Sequence, residues 1–249
     1  MDLTIRDRFI ELWNKYFNQT ELPIAFYYSD SLNGAKEANK PGGHSCMICD
    51  LNKVREGQPL GFTTSNIGCG GGLKYSGFSD QLRPGFEHFL SCGKPGMEGE
   101  RYKKDPETVK LMLEHMPQIY KEGKVMVFKR WDQLNEQDDP EVVIFFNKAD
   151  VISGLFMLAN YDFVGNAGVI TPFSSGCGSI ILYPYMEKDK EKPRSIIGMF
   201  DPSARPCLKA DEFTFATPVR RLMQMMEFFD ESFLITKTWD VMYKRIGKK

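Results

Sequence analysis

Val142-Val143-Ile144-Phe145-Phe146 is a run of five apolar residues with no polar alternation, and the apolar stretch at 150–160 follows it after a short polar step. A strand of this kind leaves no face for water, so it belongs at the centre of a sheet covered on both sides. The stretch after it has the length and composition of a helix. Strand, polar turn and helix in this order set the pattern for the rest of the chain.

Upstream, Ile5, Phe9, Leu12, Trp13 and Tyr16 recur at helical spacing and predict a helix over 4–17. A strand follows Pro23 at 24–28, and the polar stretch 29–43 with its Pro-Gly-Gly turn reads as a loop. A short helix is expected at 46–54, a strand at 60–63, and a glycine-rich loop at 65–72. Helices are expected at 84–92 and 106–115, the second opened by Pro106, with a strand at 125–128. Downstream, 165–172 is a loop, and Ser175 caps an apolar helix to about Tyr183. Lys188 to Lys192 is a surface loop. Strands are expected at 195–200 and 213–216, and helices at 218–229 and 238–246. The sum is one α+β (or α/β) domain over 1–249, a mixed layered sheet with helices packed on it. No segment has the composition of a disordered linker.

The chain also echoes itself. Residues 142–158 and 213–228 share the strand–turn–helix reading, and Gly68-Cys69-Gly70 is matched by Gly176-Cys177-Gly178. Duplicated strand–helix halves would explain both.

With 32 basic and 33 acidic residues the net charge is −1, which predicts no general attraction to nucleic acid or membrane. No apolar run approaches the length of a membrane span, and the charged N-terminus lacks a signal-peptide apolar region. The basic tail Lys244–Lys249 reads as a solvated end. The expected location is cytoplasmic, where six cysteines serve as thiols or ligands rather than structural disulfides.

Four of those six cysteines fall within the first 92 residues. Cys46 and Cys49 form a C-x-x-C, Cys69 lies inside Gly68-Cys69-Gly70-Gly71-Gly72, and Cys92 precedes a glycine. Thiolates at this spacing grip a metal or cluster edge from one turn, and neighbouring glycines let backbone amides approach the sulfur. Cys46, Cys49, Cys69 and Cys92 are therefore candidate metal ligands, expected to converge, with His44 the reserve for Cys92. Zinc ribbons prefer two C-x-x-C knuckles and only one is present, so a [4Fe–4S] cluster is favoured over zinc. A dithiol redox pair is the other use of a C-x-x-C, although here a loop rather than a strand precedes Cys46.

A second candidate site is Ser174-Ser175-Gly176-Cys177-Gly178-Ser179. Small residues at a helix N-terminus present free amides and a positive dipole end, which favours an anion and lowers the pKa of Cys177. Arg205, in Asp201-Pro202-Ser203-Ala204-Arg205, would supply the opposing charge, and Gly70 and Gly71 a further phosphate contact. The competing explanation is tight packing through the two glycines, with Cys177 inert in the core. His115, beside Pro117 at a helix end, reads as a surface residue. Met223, Met225 and Met226 read as core.

Several of these segments occur together in a recognisable order: Pro23-Ile24-Ala25, Cys69-Gly70-Gly71, Val142–Phe146, Leu158-Ala159-Asn160-Tyr161-Asp162, Gly176-Cys177 and Gly198-Met199-Phe200-Asp201-Pro202-Ser203-Ala204-Arg205. Over about residues 20–230 the chain resembles domain-of-unknown-function family 169. The resemblance implies a soluble prokaryotic single-domain protein and supplies no activity. Metal binding is inferred from the cysteines alone. Two functions stand: an iron–sulfur or other metal-binding protein with a redox or small-molecule role, or a metal-free small-molecule or anion-binding domain using Gly176–Ser179 and Arg205. A small molecule or a redox partner fits either. The reaction and the oligomeric state are not readable.

Overall fold

The computed structural model describes residues 1–246, so the basic tail leaves the described residues at Gly247. One eight-stranded sheet runs through it. Its strands are β1 (Ile24–Ser29), β2 (Lys36–Glu37), β3 (Leu60–Phe62), β4 (Val125–Arg130), β5 (Val142–Lys148), β6 (Val169–Ile170), β7 (Ser195–Gly198) and β8 (Glu212–Pro218). They lie side by side in the order β2-β3-β4-β1-β5-β8-β7-β6. β5 occupies the middle as expected, antiparallel to β1 on one side and β8 on the other. Every residue from Val142 to Asn147 is buried.

That burial is two-sided because helices cover both faces. Val143 and Phe145 face α1 (Leu3–Tyr16), α6 (Ala149–Asn160), α8 (Val219–Glu227) and α9 (Lys237–Ile246). Aromatic rings dominate this layer: Trp13 stacks on Phe17 with centroids 4.3 Å apart, and Phe9 meets Trp131 edge-on at 5.1 Å. Val142, Ile144 and Phe146 face the opposite layer, built from α2 (Met47–Arg55) and the helical stretch 176–187. This second stretch contains a wide π-helical turn, Gly178–Leu182, before α7 (Tyr183–Glu187). Pro184 has no N–H for the Ile180 carbonyl and would crowd it, which accounts for the widened winding at that point.

The strand order repeats. Within the first half the order from the sheet edge inward is second, third, fourth, first strand; within the second half it is the same order read inward from the opposite edge, β6 to β5. The pairings agree one for one. β2 and β6 are parallel to β3 and β7, while β3 and β7 are antiparallel to β4 and β8. β1 and β5 are each antiparallel to the fourth strand of their own half, and pair antiparallel with each other across the seam. The duplicated pattern is thus present, with a different correspondence from the sequence echo. α2 and the stretch 176–187 are equivalent crossovers between parallel strands, so by topology Cys46, not Cys69, matches Cys177. The two-residue edge strands β2 and β6 have no hydrophobic alternation to read, which is why the sequence left them as loops.

The halves differ in two connections: α6 lies between β5 and β6 where only a loop joins β1 to β2, and the larger difference is an insertion. Between β3 and β4 the first half inserts α3 (Gly70–Tyr75), α4 (Phe86–Leu90) and α5 (Pro106–Glu114). The glycine run expected to be loop begins α3, with Cys69 as its N-cap. The far end of α2 is fixed by Arg55, whose Nη2 donates to Glu21 and Glu212 at 2.9 Å each.

Val143 is fully buried between sheet and helices. Val143→Asp should cost several kcal/mol, the penalty of an unpaired buried charge, and abolish soluble expression; soluble yield and urea unfolding check this.

Candidate functional site

Three helix starts meet on the α2 face of the sheet, and each carries a free cysteine. Cys46 is the N-cap of α2 and Cys69 the N-cap of α3, where its sulfur accepts the Gly72 N–H at 3.1 Å. Cys177 lies in the first turn of the stretch 176–187. All three border one cavity of about 1350 Å³. Ile48 of α2 packs against Gly176 so closely that an added Cβ would come within 2.5 Å of its Cδ1. The inserted helices wall the far side with Phe86, Phe89, Leu111, Met112 and Met116. Phe173 and Phe200 border it too and are more than half exposed.

Burial sets the chemistry of the thiols. Desolvation raises the pKa of Cys46 and of Cys69, and the amides at the helix starts only partly oppose it. Cys177, fully enclosed, is raised furthest, by burial first and then by Cys69, Cys46 and the Asp201 carboxylate. The acidic Cys177 expected from the sequence is therefore corrected. Its helix start does not face open solvent, and the amide of Gly176 already donates to Asp201 Oδ2 at 3.1 Å. Ser175 caps as expected, accepting the Gly178 N–H at 3.2 Å. The chain's own carboxylate thus occupies the place read as an anion cradle. Tyr75, on the same wall, is pushed up to about 12 by burial.

Arg205 is corrected as well. It lies outside the cavity lining and donates to the backbone carbonyls of Glu212 and Ala210, with its guanidinium over the Phe213 ring. Gly70, Gly71, Ser175 and Gly176 do border the cavity. Gly176 and Gly178 serve close packing: a Cβ on Gly178 would overlap the Ser174 hydroxyl.

The four-thiolate set is not assembled. Cys46 and Cys69 share the cavity, and His44 borders it. Cys49 is instead disulfide-bonded to Cys207, with their Cα atoms 4.6 Å apart, against the expectation that all six cysteines stay free. Cys92 is exposed, outside the lining, with its thiol directed at the Gly93 carbonyl. Among the described residues no group of three or more His, Cys, Asp or Glu side chains is placed to hold one metal ion. Tyr75 and the apolar wall were missed in the sequence. The readable signal was in 106–116, where Leu111, Met112 and Met116 exceed what a helix burying only Val109 needs.

The profile of one known family, described as "Uncharacterised ArCR", matches residues 14–227 of 249. The chain belongs to domain-of-unknown-function family 169. The match confirms the resemblance read from the motifs, and it spans every cavity residue as well as the disulfide. No curated protein and no solved structure matches the chain. No helix among the described residues is long and apolar enough to cross a membrane.

Two outcomes follow from this geometry. The folded state favours protonated Cys177 and Tyr75, so it binds protons more tightly than the unfolded chain. Their contribution is fully present below the unfolded thiol pKa, about 8.5, and is lost as pH rises through the raised folded values. Urea midpoints should fall from pH 8.5 to 10.5, and less steeply in Cys177→Ala. Cys207→Ser opens a cross-link between residues 158 apart and should lower stability by about 2–5 kcal/mol under non-reducing conditions, measured by urea unfolding.

Proposed function

We propose that this chain binds a bulky, largely apolar small molecule, held by the inserted helices and presented to the thiols of Cys46, Cys69 and Cys177. The observation that carries this reading is the cavity itself. At about 1350 Å³ it exceeds the usual range for small-molecule sites, and aromatic and aliphatic side chains supply much of its wall. Its polar groups include Tyr75, Ser175 and Asp201 on the thiol side, and the lining also carries His44, Arg83, Glu100, Tyr102 and His115. Raised thiol pKa values keep the sulfurs neutral at pH 7, so they offer soft, polarisable contacts rather than charge. At the Gly176 helix start an anionic ligand is disfavoured, because Asp201 fills that place and Arg205 is turned away.

A second reading is supported by the convergence of three helix-start thiols. An iron–sulfur cluster takes irregularly spaced cysteines from separate loops and is stabilised by amides directed at sulfur. Cys46, Cys69 and Cys177 would replace the ligand set expected from the C-x-x-C.

One pair of measurements separates the readings. A neutral apolar fluorophore, N-phenyl-1-naphthylamine, should bind saturably to the wild-type chain and slow alkylation of Cys46 and Cys69 but not of Cys92. At Gly70, on the cavity border, an added Cβ meets nothing within 4 Å, so Gly70→Trp should take up part of the space without disturbing the fold. Binding should weaken by about tenfold or more, with the circular dichroism spectrum unchanged. Failure of the wild type to bind, or equal binding by the variant, sinks the first reading. Anaerobic reconstitution with iron and sulfide tests the second, through a visible absorption band that Cys69→Ser abolishes.

A further inference from the structure

Cys46 and Cys49 occupy the N-cap and third position of α2, the two positions at which, in a capping box, each side chain reaches the other residue's backbone N–H. Three residues apart, they share a helix face opposite the buried stripe Met47, Leu51 and Val54. Cys46 is a free thiol on the cavity wall, whereas Cys49 is solvent-exposed and already bonded to Cys207. A free thiol therefore sits beside a disulfide on one helical turn.

We propose that Cys46, Cys49 and Cys207 form an internal thiol–disulfide relay. The Cys46 thiol loses its proton and its sulfur lone pair forms a bond to the Cys49 sulfur. The Cys49–Cys207 bond breaks, and its electron pair leaves on Cys207, which takes up a proton. One disulfide is present before and after, so no outside oxidant or reductant is consumed. The product places a Cys46–Cys49 bond within the first turn of α2. Cys207 becomes a buried thiol, a form that an apolar site tolerates well.

The relay has a structural consequence because of what Cys207 holds. In the Cys49–Cys207 form, α2 is tied to the turn Arg205–Cys207, just beyond the cavity-wall segment 198–204. Met199 in that segment is held at φ +68°, a left-handed conformation that costs a residue with a side chain. After exchange the covalent tie is gone. The Asn52 side chain still donates to the Cys207 carbonyl at 2.8 Å, and the Arg205 contacts remain. Consuming the Cys46 thiol thus loosens the segment 198–204, which packs with α2 around Gly176 and borders the same cavity. This inference uses no ligand and stands apart from the reading of what the cavity binds.

The test is disulfide mapping. Full-length protein purified in air without added thiol is incubated at pH 8, sampled over time, alkylated with iodoacetamide, acid-quenched and digested without reduction for mass spectrometry. The early samples should show Cys49 linked to Cys207. Later samples should gain Cys46–Cys49 peptides together with alkylated Cys207, at a constant total of one disulfide per chain. Cys46→Ser should slow alkylation of Cys207 by about tenfold or more, and Cys92→Ser should leave the time course unchanged. Should Cys46→Ser fold poorly, alkylating Cys46 in the folded wild type before incubation must block the exchange. The proposal is overturned if Cys46–Cys49 peptides never form, if Cys207 reacts equally fast without Cys46, or if no Cys49–Cys207 linkage is found at the start.

Discussion

The pairing of β1 with β5 is the contact on which the rest of the molecule is arranged. Ile24 faces Ile144, Ala25 faces Val143 and Phe26 faces Val142, all of them buried. These pairs join two four-strand halves of the same internal order into one sheet. Each half has one crossover between parallel strands, and both crossover helices pack on the same face. The cysteine at the start of one then approaches the cysteine at the start of the other. A cavity bordered by Cys46 and Cys177 is a consequence of the seam before any ligand chemistry is considered.

Two opposing effects decide what those thiols are. A helix N-terminus stabilises a nearby anion by about 0.3–1 kcal/mol at an exposed site and up to about 2 kcal/mol where it is partly buried. Desolvation of an enclosed thiolate is larger, and Cys177 has the Asp201 carboxylate beside the same amides. Burial wins, the thiols stay neutral, and an amphipathic rather than an ionic site results. At Cys69 the Gly72 amide donates to the sulfur directly and opposes the burial in part.

The strong periodic elements were legible. The central strand, the aromatic stripe of α1 and the helices after β5 and β8 were read within a residue or two. The candidate site was legible only in part, because its parts come from distant segments. Cys46, Cys69, Gly70, Gly71, Ser175, Gly176 and Cys177 do border one cavity. The partner of Cys49 lies 158 residues away, a separation that no local spacing reports. Arg205 was misread because an arginine beside Asp201 looks available for a ligand, whereas the loop before β8 needs its guanidinium to satisfy carbonyl groups. The glycine run was misread because glycine is a poor helix former; here close packing dictates it, with Ile67 and the Cys69 sulfur leaving no room for a Cβ at Gly72.

What distinguishes the two halves explains why the site is a cavity rather than a groove. In the second half the third and fourth strands are joined by a short loop, residues 199–211, which carries Asp201 and Cys207. In the first half the equivalent connection runs from residue 63 to 124 and contributes α3, α4 and α5. Only α3 reaches the thiols; α4 and α5 lean over them with apolar faces that bury little against the sheet. A helix such as α5, with a single buried residue among nine, gains little from its own packing. Leu111 is about half exposed and Met112 only partly buried, whereas Met116, just beyond α5, packs against the core. The sheet and its two crossover helices are the well-packed part of the site, and on the proposed reading the insertion is where a bound apolar molecule would add most packing.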